Sequence, residues 1–203
     1  MSGSVALVDY GAGNLQSVRN ALKAAGASSV TVTADPDVVR RADRIVLPGV
    51  GAFAHCMNAL LAIDGMIDAL GEATGARAAP FLGICVGMQL MAETGEEHGV
   101  HPGLGWIKGT VRKIATDSAQ IKIPHMGWND VVPARPHPLI EAGEAYFLHS
   151  FAYDGADVLA MTHHGGAVVA AIGRDNRIGV QFHPEKSQKY GLALLSRFLE
   201  WRP

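Results

Sequence analysis

A cysteine with glycines two residues to either side, Gly83-Ile84-Cys85-Val86-Gly87, follows the apolar run Ala79-Pro80-Phe81-Leu82 and leads into Met88-Gln89-Leu90-Met91-Ala92. The pattern predicts a sharp strand-to-helix turn with a thiol at its apex, the counterpart of the Gly-x-Ser-x-Gly elbow that presents a nucleophile. Far downstream, Ile178-Gly179-Val180-Gln181-Phe182 ends in His183-Pro184-Glu185. An unassisted thiol ionises near pH ~8.5 and is only slightly thiolate at neutrality, so a cysteine nucleophile needs a base or a favourable local potential. His183 can supply the base. Glu185, two residues on and on the same side of an extended segment, can fix the imidazole tautomer. The start of the predicted helix adds the positive end of its dipole beside the sulfur. Cys85, His183 and Glu185 therefore form a candidate catalytic triad for attack on a carbonyl carbon.

Such an attack creates an oxyanion, and each hydrogen-bond donor aimed at it is worth ~3 to 4 kcal/mol. The N–H of Val86 is one candidate. A second comes from the turn Pro48-Gly49-Val50-Gly51, through Val50 or Gly51. Gln89 lies one helical turn beyond Cys85 and on its face, either touching substrate or solvated. Cys56 has no elbow glycines and reads as a packed thiol in a helix. Gly11-Ala12-Gly13-Asn14-Leu15-Gln16 lacks the third glycine of a dinucleotide loop and reads as a plain turn. The nine histidines show no metal-binding spacing, and adjacent His163 and His164 point to opposite faces if extended. No metal and no cofactor is predicted.

These groups must be placed by a scaffold. Val5-Ala6-Leu7-Val8, Val30-Thr31-Val32-Thr33 and Arg44-Ile45-Val46-Leu47 read as strands. Between them lie a helix with the inward stripe Leu15, Val18, Leu22, Ala25, stopped by Gly26, and a short helix after Asp35-Pro36. A helical pattern runs through Leu61 and another over about Met66 to Gly75. Alternating strands and helices predict an α/β fold with a central, mostly parallel sheet covered by helices on both faces. From Leu104 to Val180 the pattern changes to short strands, including Tyr146-Phe147-Leu148-His149 and Val158-Leu159-Ala160-Met161, read as additional antiparallel strands. A last helix spans Gly191 to Glu200. With no repeat or linker, residues 1–203 read as one domain.

A chain of 203 residues that is 48% hydrophobic and 18% charged can bury roughly 70% of its unfolded surface around a core. Its net charge of −2, with no basic tail, removes the electrostatic attraction that dominates nucleic-acid binding. Arg40, Arg41 and Arg44 read as a solvated helix end. Two cysteines make no disulfide framework, and Met1-Ser2-Gly3-Ser4 lacks a signal peptide's basic start, so a reducing cytoplasm is expected. The longest apolar stretch, Ala78 to Ala92, is broken by Pro80, Gly83, Gly87 and Gln89 and predicts no membrane span.

Read in order, five stretches resemble the class I glutamine amidotransferases, and within them the glutaminase subunits of imidazole glycerol phosphate synthases. They are Asp9-Tyr10-Gly11-Ala12-Gly13-Asn14, Pro48-Gly49-Val50-Gly51-Ala52-Phe53, Gly83 to Gln89, Pro124-His125-Met126-Gly127-Trp128-Asn129 and Gln181-Phe182-His183-Pro184-Glu185-Lys186-Ser187. The likeness spans nearly the whole chain and implies a flavodoxin-like core. It also implies a reaction: Cys85 attacks the side-chain amide carbon of glutamine, His183 protonates departing ammonia, and water hydrolyses the glutamyl thioester. Glutamine contacts are implied at the turn glycines including Gly49, at Gln89, at Glu97, and at His149 and Ser150. Family members often carry threonine-tyrosine where this chain has Ser150-Phe151, so the contact of a hydroxyl at 151 is missing.

The chain ends at Pro203 with no synthase segment after its last helix, so ammonia is expected to leave for another polypeptide. The resembling family docks onto a (β/α)8-barrel cyclase, which uses the ammonia to make imidazole glycerol phosphate and aminoimidazole carboxamide ribotide in histidine biosynthesis. Candidate contacts are Asn14, Pro124, Met126, Trp128, Asn129 and Lys186, with ordinary packing or solvation as the alternative for each. Turnover is expected to be feeble alone and to rise on docking. Three other readings stay open: a glutaminase serving another synthase, a catalytically silent binding or regulatory module, and a thiol hydrolase or peptidase.

Overall fold

Val5 to Val8 are apolar without alternation and all buried, the mark of a strand covered on both faces. They belong to β1 (Ser4–Val8), the first element of a computed structural model that describes residues 3–115 and 121–203. Asn14 caps α1 (Leu15–Ala24) by accepting from the Ser17 N–H, and Val18, Ala21 and Leu22 form its buried stripe. After β2 (Ser29–Thr33), Asp35 caps α2 (Pro36–Arg41), whose first residue is a proline that needs no N–H there. β3 (Arg44–Gly49), α3 (Phe53–Leu61), α4 (Met66–Thr74) and β4 (Phe81–Cys85) complete the alternating half.

The chain then turns through α5 (Val86–Gln89) into β5 (Ala92–Gly95), β6 (His101–Pro102) and β7 (Ile107–Lys113). There follow β8 (His125–Pro133), β9 (Gly143–His149), β10 (Phe151–Gly155), β11 (Val158–His163), β12 (Ala167–Arg174) and β13 (Arg177–Val180). A 3-10 turn, Pro184–Lys186, joins β13 to α6 (Gln188–Glu200). Among the described residues no single helix is long and apolar enough to cross a membrane.

The main sheet has the order β2-β1-β3-β4-β13-β12-β11-β8-β9, and β10-β7-β5-β6 form a second, smaller sheet. From β2 to β13 every pairing is parallel, and this segment has the 2-1-3-4-5 order of the doubly wound flavodoxin-like folds. From β13 to β9 every pairing is antiparallel, so the sheet is parallel in one half only, not mostly parallel as expected. The physical reason is connection length. β12 and β13 are joined by the two residues Asp175 and Asn176, which suffice for a hairpin but not for a crossover. α1 packs with α6, while α2 and α3 pack with α4, giving helices on both faces.

One further expectation needs correction. Arg44 is buried, not part of a solvated helix end; its guanidinium donates to the carbonyls of Phe198 and Trp201 and so satisfies the end of α6. Arg40 does sit at the surface, paired with Asp37 and Glu72.

Candidate active site

The site is built at the carboxyl ends of β3 and β4, where open α/β sheets present their crevice. Cys85 closes β4 with φ +54° and ψ −111°, a conformation a side-chain-bearing residue holds only when its surroundings enforce it. The two elbow glycines make that possible. A Cβ on Gly83 would stand 2.6 Å from the Gly87 carbonyl oxygen, and one on Gly87 would run into the Leu47 carbonyl of β3. The helix after the elbow is a single turn and does not run through Ala92: Leu90 N–H bonds to the Val86 carbonyl at 2.8 Å, and the chain leaves for β5. Its dipole is correspondingly small, and the first-turn N–H groups are what it offers the sulfur.

The chain brings His183 to this sulfur by suspending it from β9. The His183 N–H donates to the Tyr146 carbonyl at 2.9 Å, and the Ser187 hydroxyl donates to the His183 carbonyl at 2.6 Å while accepting from Tyr146 N–H at 3.0 Å. Glu185 reaches the ring because the backbone winds into the 3-10 turn at Pro184, not because the segment stays extended. Its Oε1 lies 2.9 Å from His183 Nδ1, with both side chains buried. A carboxylate can only accept, so Nδ1 carries the proton and Nε2 is left for Cys85. Burial pulls the imidazole pKa down, but the hydrogen bond and charge of Cys85 and of Glu185 outweigh it and hold the pKa at about 9. At neutral pH His183 is an imidazolium.

Around Cys85 and His183 opens a cavity of about 300 Å³, at the small end of the range for small-molecule sites. Val50, Gly51 and Val86, the three candidates for oxyanion donors, are among the residues that line it. Tyr10 donates to the Pro48 carbonyl at 2.6 Å and Cys56 to the Val50 carbonyl at 3.3 Å, so this turn is anchored from behind. Cys56 is thus a packed thiol, as expected, and burial pushes its pKa up to about 11. Gly49 does not line the cavity; it lies behind the wall, where a Cβ would meet Tyr10 and Gly87.

Gln89, Glu97, His149 and Ser150 all line the cavity, but three of them are also committed elsewhere. Gln89 is buried, not solvated, and its amide nitrogen donates to the Phe151 carbonyl at 3.0 Å and to Gln181 at 2.9 Å. Glu97 accepts the Phe53 N–H at 2.8 Å and so serves the start of α3, where Ala52 has no capping side chain. His149 Nδ1 donates to the Phe151 carbonyl at 2.8 Å, and its Nε2 meets His125 Nδ1 at 3.0 Å. Burial lowers His149 to about 4 and His125 to about 3, so this buried pair is neutral.

The six expected contact residues divide between cavity and surface. Pro124 and Lys186 line the cavity, Asn14 is exposed at the cap of α1, and Asn129 bonds to His125 and to the His163 carbonyl. Along β8 the alternation puts Met126 and Trp128 outward, 66% and 47% exposed, paired in register with Leu148 and Tyr146 of β9. Sequence reasoning missed Leu148, whose carbonyl lies 3.9 Å from the sulfur, and Gln181, whose Nε2 lies 3.6 Å from it. Gln181 did carry a signal, being the one polar side chain in Ile178 to Phe182. Among the described residues no group of three or more His, Cys, Asp or Glu is placed to hold a metal ion.

Known proteins are similar to this chain in sequence and in fold. A relative from Zymomonas mobilis subsp. mobilis, imidazole glycerol phosphate synthase subunit HisH, is 61% identical over 208 residues, covering 100% of this chain and 98% of its own. The protein of the same name from Rhodopseudomonas palustris is 54% identical over 98% of this chain and 100% of its own. A crystal structure of a glutamine amidotransferase superposes with a TM-score of 0.76 at 17% identity, covering 98% of each chain, which speaks for the fold. The family model described as glutamine amidotransferase class-I matches residues 6–201, and with the identities above it follows that the chain belongs to the class-I glutamine amidotransferase family.

Proposed function

We propose that this chain is the glutaminase subunit of an imidazole glycerol phosphate synthase, hydrolysing glutamine through a Cys85 thioester and delivering ammonia to a separate cyclase. The observation that carries the reading is Cys85 and His183 at the wall of a small cavity, with the buried Glu185 carboxylate 2.9 Å from the imidazole behind them. The protonated imidazole offers the Cys85 sulfur an opposite charge as it attacks. As the tetrahedral adduct collapses, it gives its proton to the departing nitrogen, and it then accepts one from the water that attacks the thioester. The developing oxyanion is received by the Val86 N–H and by the Val50–Gly51 turn, whose Val50 carbonyl faces Cys56 and so turns the Gly51 N–H the other way. In this reading Glu97 and Ser150, both lining the cavity, meet the polar end of glutamine.

Ammonia released into bulk water at neutral pH would become non-nucleophilic ammonium, which makes a sealed docking face the physically sensible exit. The exposed apolar row Met126, Trp128 and Leu148 beside Pro124 and Lys186 of the cavity supports docking of a (β/α)8-barrel cyclase there. The free cysteines Cys56 and Cys85 suit a reducing cytoplasm. The test measures glutamine hydrolysis with and without the cyclase and its nucleotide ligand. Wild type is expected to accelerate on docking, and Cys85→Ala to lose at least about 10⁴-fold in either condition while still binding the cyclase. An isolated chain as fast as the complex, or a Cys85→Ala chain that still turns over, defeats the reading.

A further inference from the structure

The sulfur of Cys85 has a neighbour outside the line that leads to Glu185. Gln181 follows the last residue of β13, is 0% exposed, and sets its amide nitrogen 3.6 Å from Cys85 Sγ. Which amide atom faces the sulfur is decided by the rest of the network. The Phe151 carbonyl can only accept, so the Gln89 atom 3.0 Å from it is Nε2. The second hydrogen of that nitrogen goes to Gln181, at 2.9 Å, which must therefore present Oε1 to Gln89 and its NH₂ to Cys85. The Phe151 carbonyl also takes His149 Nδ1–H at 2.8 Å, and because a carbonyl has no hydrogen to give to a flipped Gln89 oxygen, the amide chain cannot reverse.

We propose that Gln181 is a catalytic residue of the glutaminase: its amide N–H donates to the Cys85 sulfur and favours that sulfur whenever it is anionic. This deepens the reading of Cys85 as nucleophile and rests on it. The donor acts twice. Before attack it supports the thiolate that pairs with His183. In the second half-reaction water adds to the thioester carbon and gives a proton to His183; the C–S bond then breaks, its electron pair returns to sulfur, and the γ-carboxyl of glutamate departs. Gln181 stabilises sulfur as the leaving group in that step. A donor that belongs only to packing would hold the amide in place without altering how the sulfur responds to pH.

The experiment follows alkylation of the Cys85 peptide by iodoacetamide in the full chain across pH, alongside glutamine hydrolysis in the presence of the cyclase. Gln181→Met keeps length and removes the donor. Its alkylation profile is expected to move up by about one pH unit, with the rate at neutral pH down about tenfold and kcat down more than KM changes. Gln89→Met leaves Gln181 in place but frees its amide to turn, and a smaller move in the same direction is expected; this variant carries the test if Gln181→Met does not fold. Alkylation profiles that coincide with wild type overturn the proposal. Turnover retained by Cys85→Ala would instead strike the underlying nucleophile assignment, so the two failures are distinguishable.

Discussion

Glu185 binds His183 through Oε1 alone, while its buried Oε2 has no hydrogen-bond partner. Such an orphaned acceptor is costly unless a nearby positive charge compensates it, and the imidazolium is that charge. Glu185→Gln keeps an acceptor for Nδ1–H but removes the charge. Glutamine hydrolysis is expected to fall about 10³- to 10⁴-fold, the loss that neutralising the third member of such a triad brings. The wild-type complex should retain the protonated general acid up to about pH 9, and the variant's alkaline limb should lie lower, because the Glu185 carboxylate is one of the groups that raise His183. Initial rates across pH 6 to 10 check both expectations. At this scale the placing of Cys85, His183 and Glu185 together was legible in the sequence, since glycine spacing and an imidazole two residues from a carboxylate carry their own chemistry. Gln181 stood out only as a lone polar residue in an apolar run; its contacts were not legible, because they depend on Gln89 and Phe151, both distant in sequence.

Between β3 and α5 there is no room for a single methyl group. Gly87→Ala would push its Cβ into the Leu47 carbonyl and separate the elbow from the turn that follows β3. Stability is expected to fall by roughly 3 kcal/mol, read as a lower urea midpoint at unchanged slope, with turnover lost alongside. The elements that were legible are α1, with its clean periodicity, and the strands built on an unbroken apolar run, Val5 to Val8 in β1 and Ile45 to Leu47 in β3. The length of α5 was not, because Met88, Leu90, Met91 and Ala92 are all buried, and an apolar run buried all round has no face from which to tell helix from strand. Arg44 was misread for a related reason: neighbouring arginines suggest solvent, and only the far end of the chain, at Phe198 and Trp201, supplies the carbonyls that draw it inward.

Across the whole molecule the histidines pull stability in opposite directions with pH. His183 is raised to about 9 from an unfolded value near 6.5, so its stabilisation is complete below 6.5 and is lost as pH climbs to 9. His125 and His149 are lowered to about 3 and 4, and His137 is also lowered by burial; their contribution is complete above 6.5 and drains away as pH falls toward those values. Stability should therefore peak near pH 6.5. The acid limb, with several histidines taking up protons on unfolding, should be steeper than the alkaline one, each proton adding at most ~1.4 kcal/mol per pH unit. Urea midpoints at half-unit steps from pH 4 to 9 test this, and a flat curve would contradict it. None of this balance was visible in composition, since nine histidines say nothing of which are enclosed.

β9 is the last strand of the main sheet, and the segment carrying His183 closes its open side. The Tyr146 carbonyl that holds the His183 amide sits one residue from Phe147 of the interior, while the Tyr146 ring stands beside Trp128 on the outer surface. A body settling on that outer surface would press on the same peptide from which the proton donor hangs. Contact outside and geometry inside are then separated by the thickness of one strand, a lever too short to need a relay.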